Sequence, residues 1–120
     1  MQVRKISEVP KQPADSPLFT SKDVTRQPLA PDSEDFNISV VSFGNGTRNK
    51  FHYHGSDQIL IVTEGTGKVV TEAGEEAVVS VGDVVFAPAG ERHWHGAMPG
   101  TSFAHITVTR KGTETKQVEE

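Results

Sequence analysis

From Phe36 onward the chain alternates short apolar runs with polar, glycine-bearing breaks. FNISVVSF, QILIVT, GKVVTE, EEAVVSV, DVVFA and SFAHITVT are rich in Val, Ile, Thr and Phe, whose branched or planar side chains suit a pleated, half-buried surface. No stretch repeats apolar residues at helical spacing between caps, so the pattern predicts an all-β domain. The breaks read as tight turns, with EGTG at 64–67, EAGEE at 72–76 and VGD at 81–83. Six or more short strands at regular spacing, with no helix to cover a sheet, predict a sandwich or a closed barrel.

Before Phe36 the texture differs. Prolines at 10, 13, 17, 28 and 31 remove backbone donors and discourage helix, so residues 1–35 are expected to form an extended N-terminal arm with edge-strand pieces, for instance around Leu18 to Thr25. The barrel segment is placed at 36–110. After it, KGTETKQVEE at 111–120 is expected to be a polar tail, solvated or loosely attached.

A chain of 120 residues has room for one domain with a continuous core. Lysine and arginine number 12 against 16 acidic residues, a net charge of -4, which supplies no electrostatic footprint for nucleic acid. The start, MQVRKISEVPKQPADSP, lacks an apolar core of signal-peptide length, and no uncharged run is long enough to span a bilayer. A cytoplasmic protein with no membrane partner is expected. Cysteine is absent, which excludes disulfides, thiolate nucleophiles and cysteine-held zinc or iron-sulfur centres. Any metal must be held by nitrogen and oxygen.

All five histidines lie between 52 and 105. On a strand, His52 and His54 point to one face roughly 6–7 Å apart, from where two imidazoles can converge on an ion at about 2.0–2.2 Å. His93 and His95 repeat the spacing after APAGER, a turn able to swing the chain back over the first sheet. A lone pair of this kind is more often a hydrogen-bonded core or surface group than a ligand set, so its surroundings matter. Here they form a spaced pattern: Gly46, five residues, His52-Tyr53-His54, three residues, Gln58, six residues, Gly65; then Gly82, five residues, Pro88, one residue, Gly90, two residues, His93.

These two blocks resemble the signature motifs of the cupin superfamily across residues 44–97. The resemblance implies a double-stranded β-helix, or jelly-roll, barrel that binds a divalent metal through His52, His54, His93 and the residue at position 58. That residue is usually glutamate and is here Gln58; Ala97 replaces an asparagine that often closes the second block. HWHGA at 93–97, followed by His105, is similar to small single-domain cupins with three histidines and one glutamine at the metal. Among them are manganese-dependent hydroxynitrile lyases and carboxymuconolactone-decarboxylase-like proteins. One divalent ion per chain is implied, manganese or iron ahead of zinc or nickel.

A glutamine ligand would leave the full +2 charge of the ion uncompensated, a stronger Lewis acid held with less grip. In the other reading, Gln58 hydrogen-bonds a strand neighbour and the centre has three histidines. His95 and His105 are the candidate catalytic acid or base, since an imidazole titrates near neutral pH; a buried neutral histidine tied to the backbone is the alternative for each. Lys50 shares the parity of His52 and could reach the cavity mouth, with Arg48 nearer the turn. Phe51, Tyr53 and Trp94 alternate away from the histidines and suggest a homodimer through that face. The function expected is a metal-dependent small-molecule enzyme that cleaves a carbon-carbon bond, as in cyanohydrin breakdown. Dioxygenation and a non-catalytic binding module are the alternatives.

Overall fold

The alternation of apolar and polar positions is realised as strand throughout. The computed structural model describes residues 1–120, with one short 3-10 turn at Ile6–Glu8 and ten strands: β1 (Gln12–Pro13), β2 (Val24–Pro28), β3 (Phe36–Phe43), β4 (His52–His54), β5 (Gln58–Thr71), β6 (Glu76–Ser80), β7 (Val84–Ala87), β8 (His93–Ala97), β9 (Phe103–Arg110) and β10 (Thr115–Gln117). The all-β expectation holds. No helix is long and apolar enough to cross a membrane.

The EGTG segment is not a turn. QILIVT and GKVVTE are the two halves of the single 14-residue strand β5. Its first half lies between β9 and β7, its second between β8 and β6, so one strand serves both walls of the barrel. The bend comes from a register shift against β9 between Val62 and Glu64 and from Gly65 at φ +69°. Such a bulge adds local twist and lets a strand turn a corner without ending. A Cβ on Gly65 would collide with the Ser102 carbonyl, and one on Gly67 with the Phe103 ring. Only glycine permits this approach of β5 to β9.

The main path runs β1-β2-β3-β9-β5-β8-β4-β10, with β6 and β7 each pairing β5 off it. Inward positions then follow from parity. On β9 the face with Phe103 and His105 looks inward, and on β5 Gln58, Leu60 and Val62 are buried while Ile59 and Ile61 are exposed. Val24, Val41, Phe43, Val62, Val69, Val79, Ala97 and Phe103 form the apolar core. Phe43 stacks on Phe103 at 6.1 Å and meets His95 and His105 at 5.8 Å each. The core is thus an aromatic floor under the histidines.

In the N-terminal region the edge strand is the two-residue β1, and β2 at Val24–Pro28 lies between it and β3, further along than Leu18. Leu18 lies in a turn and Phe19 makes a single bridge to Asn49. The tail departs more sharply from expectation. Rather than hanging free, residues 115–117 pair antiparallel with β4, placing Thr115 opposite His54 and Gln117 opposite His52. A polar composition conceals this, because an edge strand over a half-buried neighbour needs backbone pairing and no apolar side chains.

Gly65→Ala is expected to destabilise the protein by more than the ~1–2 kcal/mol that left-handed backbone alone costs an L-residue. Gly74→Ala, also at positive φ but with nothing within 4 Å of the new Cβ, should lose only that amount. Urea denaturation of both variants measures the difference; equal losses would contradict the close approach.

Candidate metal centre

Two short strands bring the histidines together. β4 and β8 are antiparallel neighbours with His52 directly opposite His93, and parity turns His52, His54, His93 and His95 inward, all buried. Ring centroids lie 4.9 Å apart for His52 and His54, 4.6 Å for His52 and His93, and 5.7 Å for His54 and His93. Gln58 enters from the start of β5, and His105 from β9, 4.8 Å from the His95 ring. All six sequence-predicted site residues therefore meet at one place. A nitrogen from each of His52, His93 and His95 lies within 4.8 Å of the others, close enough for one ion to be held.

The hydrogen bonds dictate which nitrogen is free on His52 and His93. His52 Nδ1 lies 2.7 Å from the Lys50 carbonyl, His93 Nδ1 2.9 Å from the Glu91 carbonyl and His54 Nδ1 2.9 Å from the Thr115 hydroxyl. A carbonyl can only accept, so His52 and His93 donate from Nδ1 and keep a lone pair on Nε2. Outer hydrogen bonds of this kind are what orient metal-binding histidines. His54 Nε2 is buried with no partner. Gln58 Nε2 donates to the Thr107 hydroxyl at 2.9 Å, which turns its Oε1 toward His93 Nε2 at 3.0 Å.

That last contact tests whether a cation fits. A neutral His93 has one N–H but faces two acceptors, the Glu91 carbonyl and Gln58 Oε1. One pair of lone pairs is left face to face in this amide orientation, and a proton, a metal ion or a turned carboxamide donating to His93 Nε2 relieves it. Burial lowers the pKa of His93 and so disfavours the proton. The residues present fit a divalent cation of the kind that nitrogen and neutral oxygen donors hold.

His95 differs from its neighbours. Both its nitrogens are engaged, Nε2 with Asn49 Nδ2 and Nδ1 with His105 Nε2, each at 3.2 Å. Asn49 Oδ1 accepts the His95 backbone N–H at 2.8 Å, so its Nδ2 must be the group that donates to Nε2. His95 then carries its proton on Nδ1 and donates to His105 Nε2. His105 in turn carries its proton on Nδ1, which is buried and near the Ile106 backbone but short of bonding geometry. One asparagine sets the tautomers of two histidines. Asn49, Thr107 and Thr115 were not singled out from sequence; only Thr107 left a signal, the parity it shares with His105.

Burial dominates the electrostatics. It lowers His52 to about 3, helped by His93 and His54 nearby and opposed by the Lys50 carbonyl. It lowers His54 to about 4, with His93 adding to the effect, and His105 to about 4. His95 falls well below its ordinary value for the same reason, with His105 as the next cause. All five rings are neutral at neutral pH.

His52, His54, Gln58, His95 and His105 open on a cavity of about 480 Å³, whose other walls include residues 12–16 and 18–19 and the Arg26 side chain. Neither Lys50 nor Arg48 lines it. Arg48 instead pairs with Glu119 at 2.9 Å and covers Trp94 at 4.5 Å, while Arg92 lies over Tyr53 at 5.8 Å. Phe51, Tyr53 and Trp94 are half-buried under these groups, not an open aromatic cluster. Exposed apolar residues include Ile59, Ile61, Val84 and Phe86 on β5 and β7, paired across the two strands.

Comparison with known proteins decides the family. The model of the cupin domain matches residues 39–109, more than half of the chain. The chain is a cupin. The jelly-roll barrel expected from the motifs is the fold observed. A cupin-like protein of Thermotoga maritima superposes with a TM-score of 0.86 and 29% identity, covering 98% of this chain and 90% of that one. Among curated proteins, the (R)-mandelonitrile lyase of Granulicella tundricola is 34% identical over 113 residues, 92% of this cupin and 86% of the lyase. The acireductone dioxygenase of Parasynechococcus marenigrum is 35% identical over 65 residues, 49% of this chain and 35% of that protein. This cupin therefore spans only about a third of the dioxygenase.

The depressed histidines make stability depend on pH. An unfolded histidine titrates near 6.5, whereas the folded values lie near 3 to 4. Between those limits the unfolded chain binds more protons, so stability is complete above pH 6.5 and falls as the pH drops toward 4. Chelator-treated protein should lose about 2 kcal/mol per such histidine between pH 7 and pH 5. Urea midpoints that do not change over that range would contradict the burial argument.

Proposed function

We propose that this cupin is a metal-dependent lyase that cleaves a carbon-carbon bond in a small 2-hydroxynitrile, releasing an aldehyde and hydrogen cyanide. The observation that carries the reading is the all-neutral donor set, in which Gln58 stands where a carboxylate would offset the ion's charge. Similarity to a mandelonitrile lyase over nearly the whole chain supports it. His52, His54 and His93 would hold the ion through Nε2, with Gln58 Oε1 as fourth ligand. His54 is preferred to His95 because its Nε2 is unpartnered, whereas His95 has both nitrogens engaged. Manganese or iron is the ion proposed.

When bound, the ion supplies Lewis-acid polarisation of the substrate's hydroxyl oxygen. The remaining work falls to this chain's own residues. His105, neutral, takes the hydroxyl proton on Nε2 as its hydrogen bond from His95 Nδ1 gives way. The bond to the nitrile carbon breaks as the carbonyl forms, the electron pair leaves with cyanide, and the proton returns to give hydrogen cyanide. His95, held by Asn49, orients the His105 ring. The cavity volume lies within the range of small-molecule sites, and its walls from residues 12–19 shield the substrate from water. A second reading, dioxygenation, draws on the 65-residue similarity to acireductone dioxygenase.

The protein is further proposed to be a cytoplasmic homodimer. The dimer face is assigned to Ile59, Ile61, Val84 and Phe86, because an apolar patch continuous across two strands marks an interface between copies more often than free surface.

Protein purified without a histidine tag is expected to carry about one manganese or iron per chain, and to split mandelonitrile without oxygen. Chelation or His54→Ala should abolish turnover, His105→Ala should lower kcat by about 10²–10⁴-fold, and Gln58→Glu should hold metal more tightly while turning over more slowly. Activity that requires dioxygen would favour the second reading, and metal-independent activity would remove both. In light scattering the protein should run as a dimer and Phe86→Arg as a monomer; a wild-type monomer at micromolar concentration would overturn the assignment of the face.

A further inference from the structure

The outer hydrogen-bond partners of the three proposed ligand histidines are unlike one another. Those of His52 and His93 are backbone carbonyls of Lys50 and Glu91, each two residues upstream on the same segment. That of His54 is a side chain 61 residues away, the Thr115 hydroxyl on β10. A hydroxyl can accept or donate, so this tautomer depends on which way the hydroxyl is turned, and the contact itself on how firmly β10 is held.

β10 is held firmly. Besides the three register pairs with β4, Gly55 N donates to the Glu114 carbonyl at 3.1 Å and Val118 N to the Phe51 carbonyl at 2.9 Å. Beyond the strand, the Glu119 carboxylate receives both terminal nitrogens of Arg48, at 3.2 and 2.9 Å, and the Phe51 backbone N–H at 2.9 Å. Arg48 and the Phe51 N–H hold that carboxylate below its ordinary pKa. Arg48 is fixed from two other sides, by the Asn49 carbonyl at 2.8 Å and the Trp94 ring. β4, by contrast, meets β8 at a single register pair, His52 with His93. Most of the pairing that holds the His52–His54 strand in place comes from the C-terminal segment.

We infer that residues 115–119 are a working part of the metal centre: Thr115 is a positioning residue that holds His54 with its proton on Nδ1 and Nε2 bare, and the Arg48–Glu119 pair latches the segment in place. The inference rests on the metal reading above. Its consequence is that metal affinity is sensitive to a terminus that never touches the ion. Outer-shell partners of ligand histidines typically contribute 10–100-fold in affinity, and Thr115 is the only one of the three that a side-chain substitution can remove.

The test uses the full chain and Mn²⁺ alone, with dissociation constants measured by competition with a chelator. Thr115→Val should bind Mn²⁺ about 10-fold or more weakly than wild type, with a thermal unfolding midpoint of the metal-free protein close to the wild-type value. Thr115→Ser, which restores the hydroxyl, should recover most of the affinity. Wild-type affinity in Thr115→Val, while His54→Ala loses binding, overturns the inference and leaves the metal reading intact. Unchanged affinity in His54→Ala overturns both. A measurement on the unaltered protein guards against misfolded variants: imidazole ¹⁵N shifts should show His54 protonated on Nδ1, and a proton found on Nε2 would defeat the proposal.

Discussion

Five imidazoles buried in one barrel must be neutral, and each neutral ring has one proton to donate and one lone pair to place. Much of the site can be read from how this chain meets that constraint. Backbone carbonyls take the protons of His52 and His93, a threonine hydroxyl meets His54, and Asn49 sets His95 and, through it, His105. The lone pairs left over converge with the carboxamide oxygen of Gln58. Donors of this kind, all neutral nitrogen and carboxamide oxygen, suit a divalent cation.

The barrel makes that convergence possible at low cost in chain length. β5 bends at Gly65 without ending, so Gln58 at its start lies on one wall while Val69 and Val70 pair with β8 on the other. The ladder resumes on either side of the bulge, so the corner is turned without ending the strand. Under the histidines, the Phe43 and Phe103 rings exclude water from one side. The depressed pKa values follow from this dry floor more than from mutual repulsion.

The two termini play unequal parts around this frame. Residues 12–19 form part of the cavity wall and so belong to the region a substrate would meet. The C-terminal segment adds Thr113 and Thr115 to the same wall and, through Thr115, bears on the orientation of His54. A proposed centre whose ligands are all neutral has little electrostatic grip of its own, so positioning of those ligands carries proportionally more of its affinity. The Arg48 and Arg92 guanidiniums over Trp94 and Tyr53 complete the outer face, which explains why aromatics that alternate away from the site do not form an open surface.

Periodicity and motif spacing in the sequence were enough to determine the all-β class and the shared strand face of His52 with His54 and of His93 with His95, because residues two apart on a strand point the same way; which face of β9 turns inward depends on how the barrel closes. They could not distinguish a turn from a bent strand at 64–67, since the difference lies in the closeness of Gly65 to Ser102, a contact between residues far apart in the chain. Nor could they find Asn49 or Thr115. Each acts through one long-range hydrogen bond that leaves no periodic trace, and Thr115 lies in a stretch whose polarity suggests solvent. Only the tertiary structure decided which nitrogen of each ring is free, because a tautomer depends on the partner that folding places beside it.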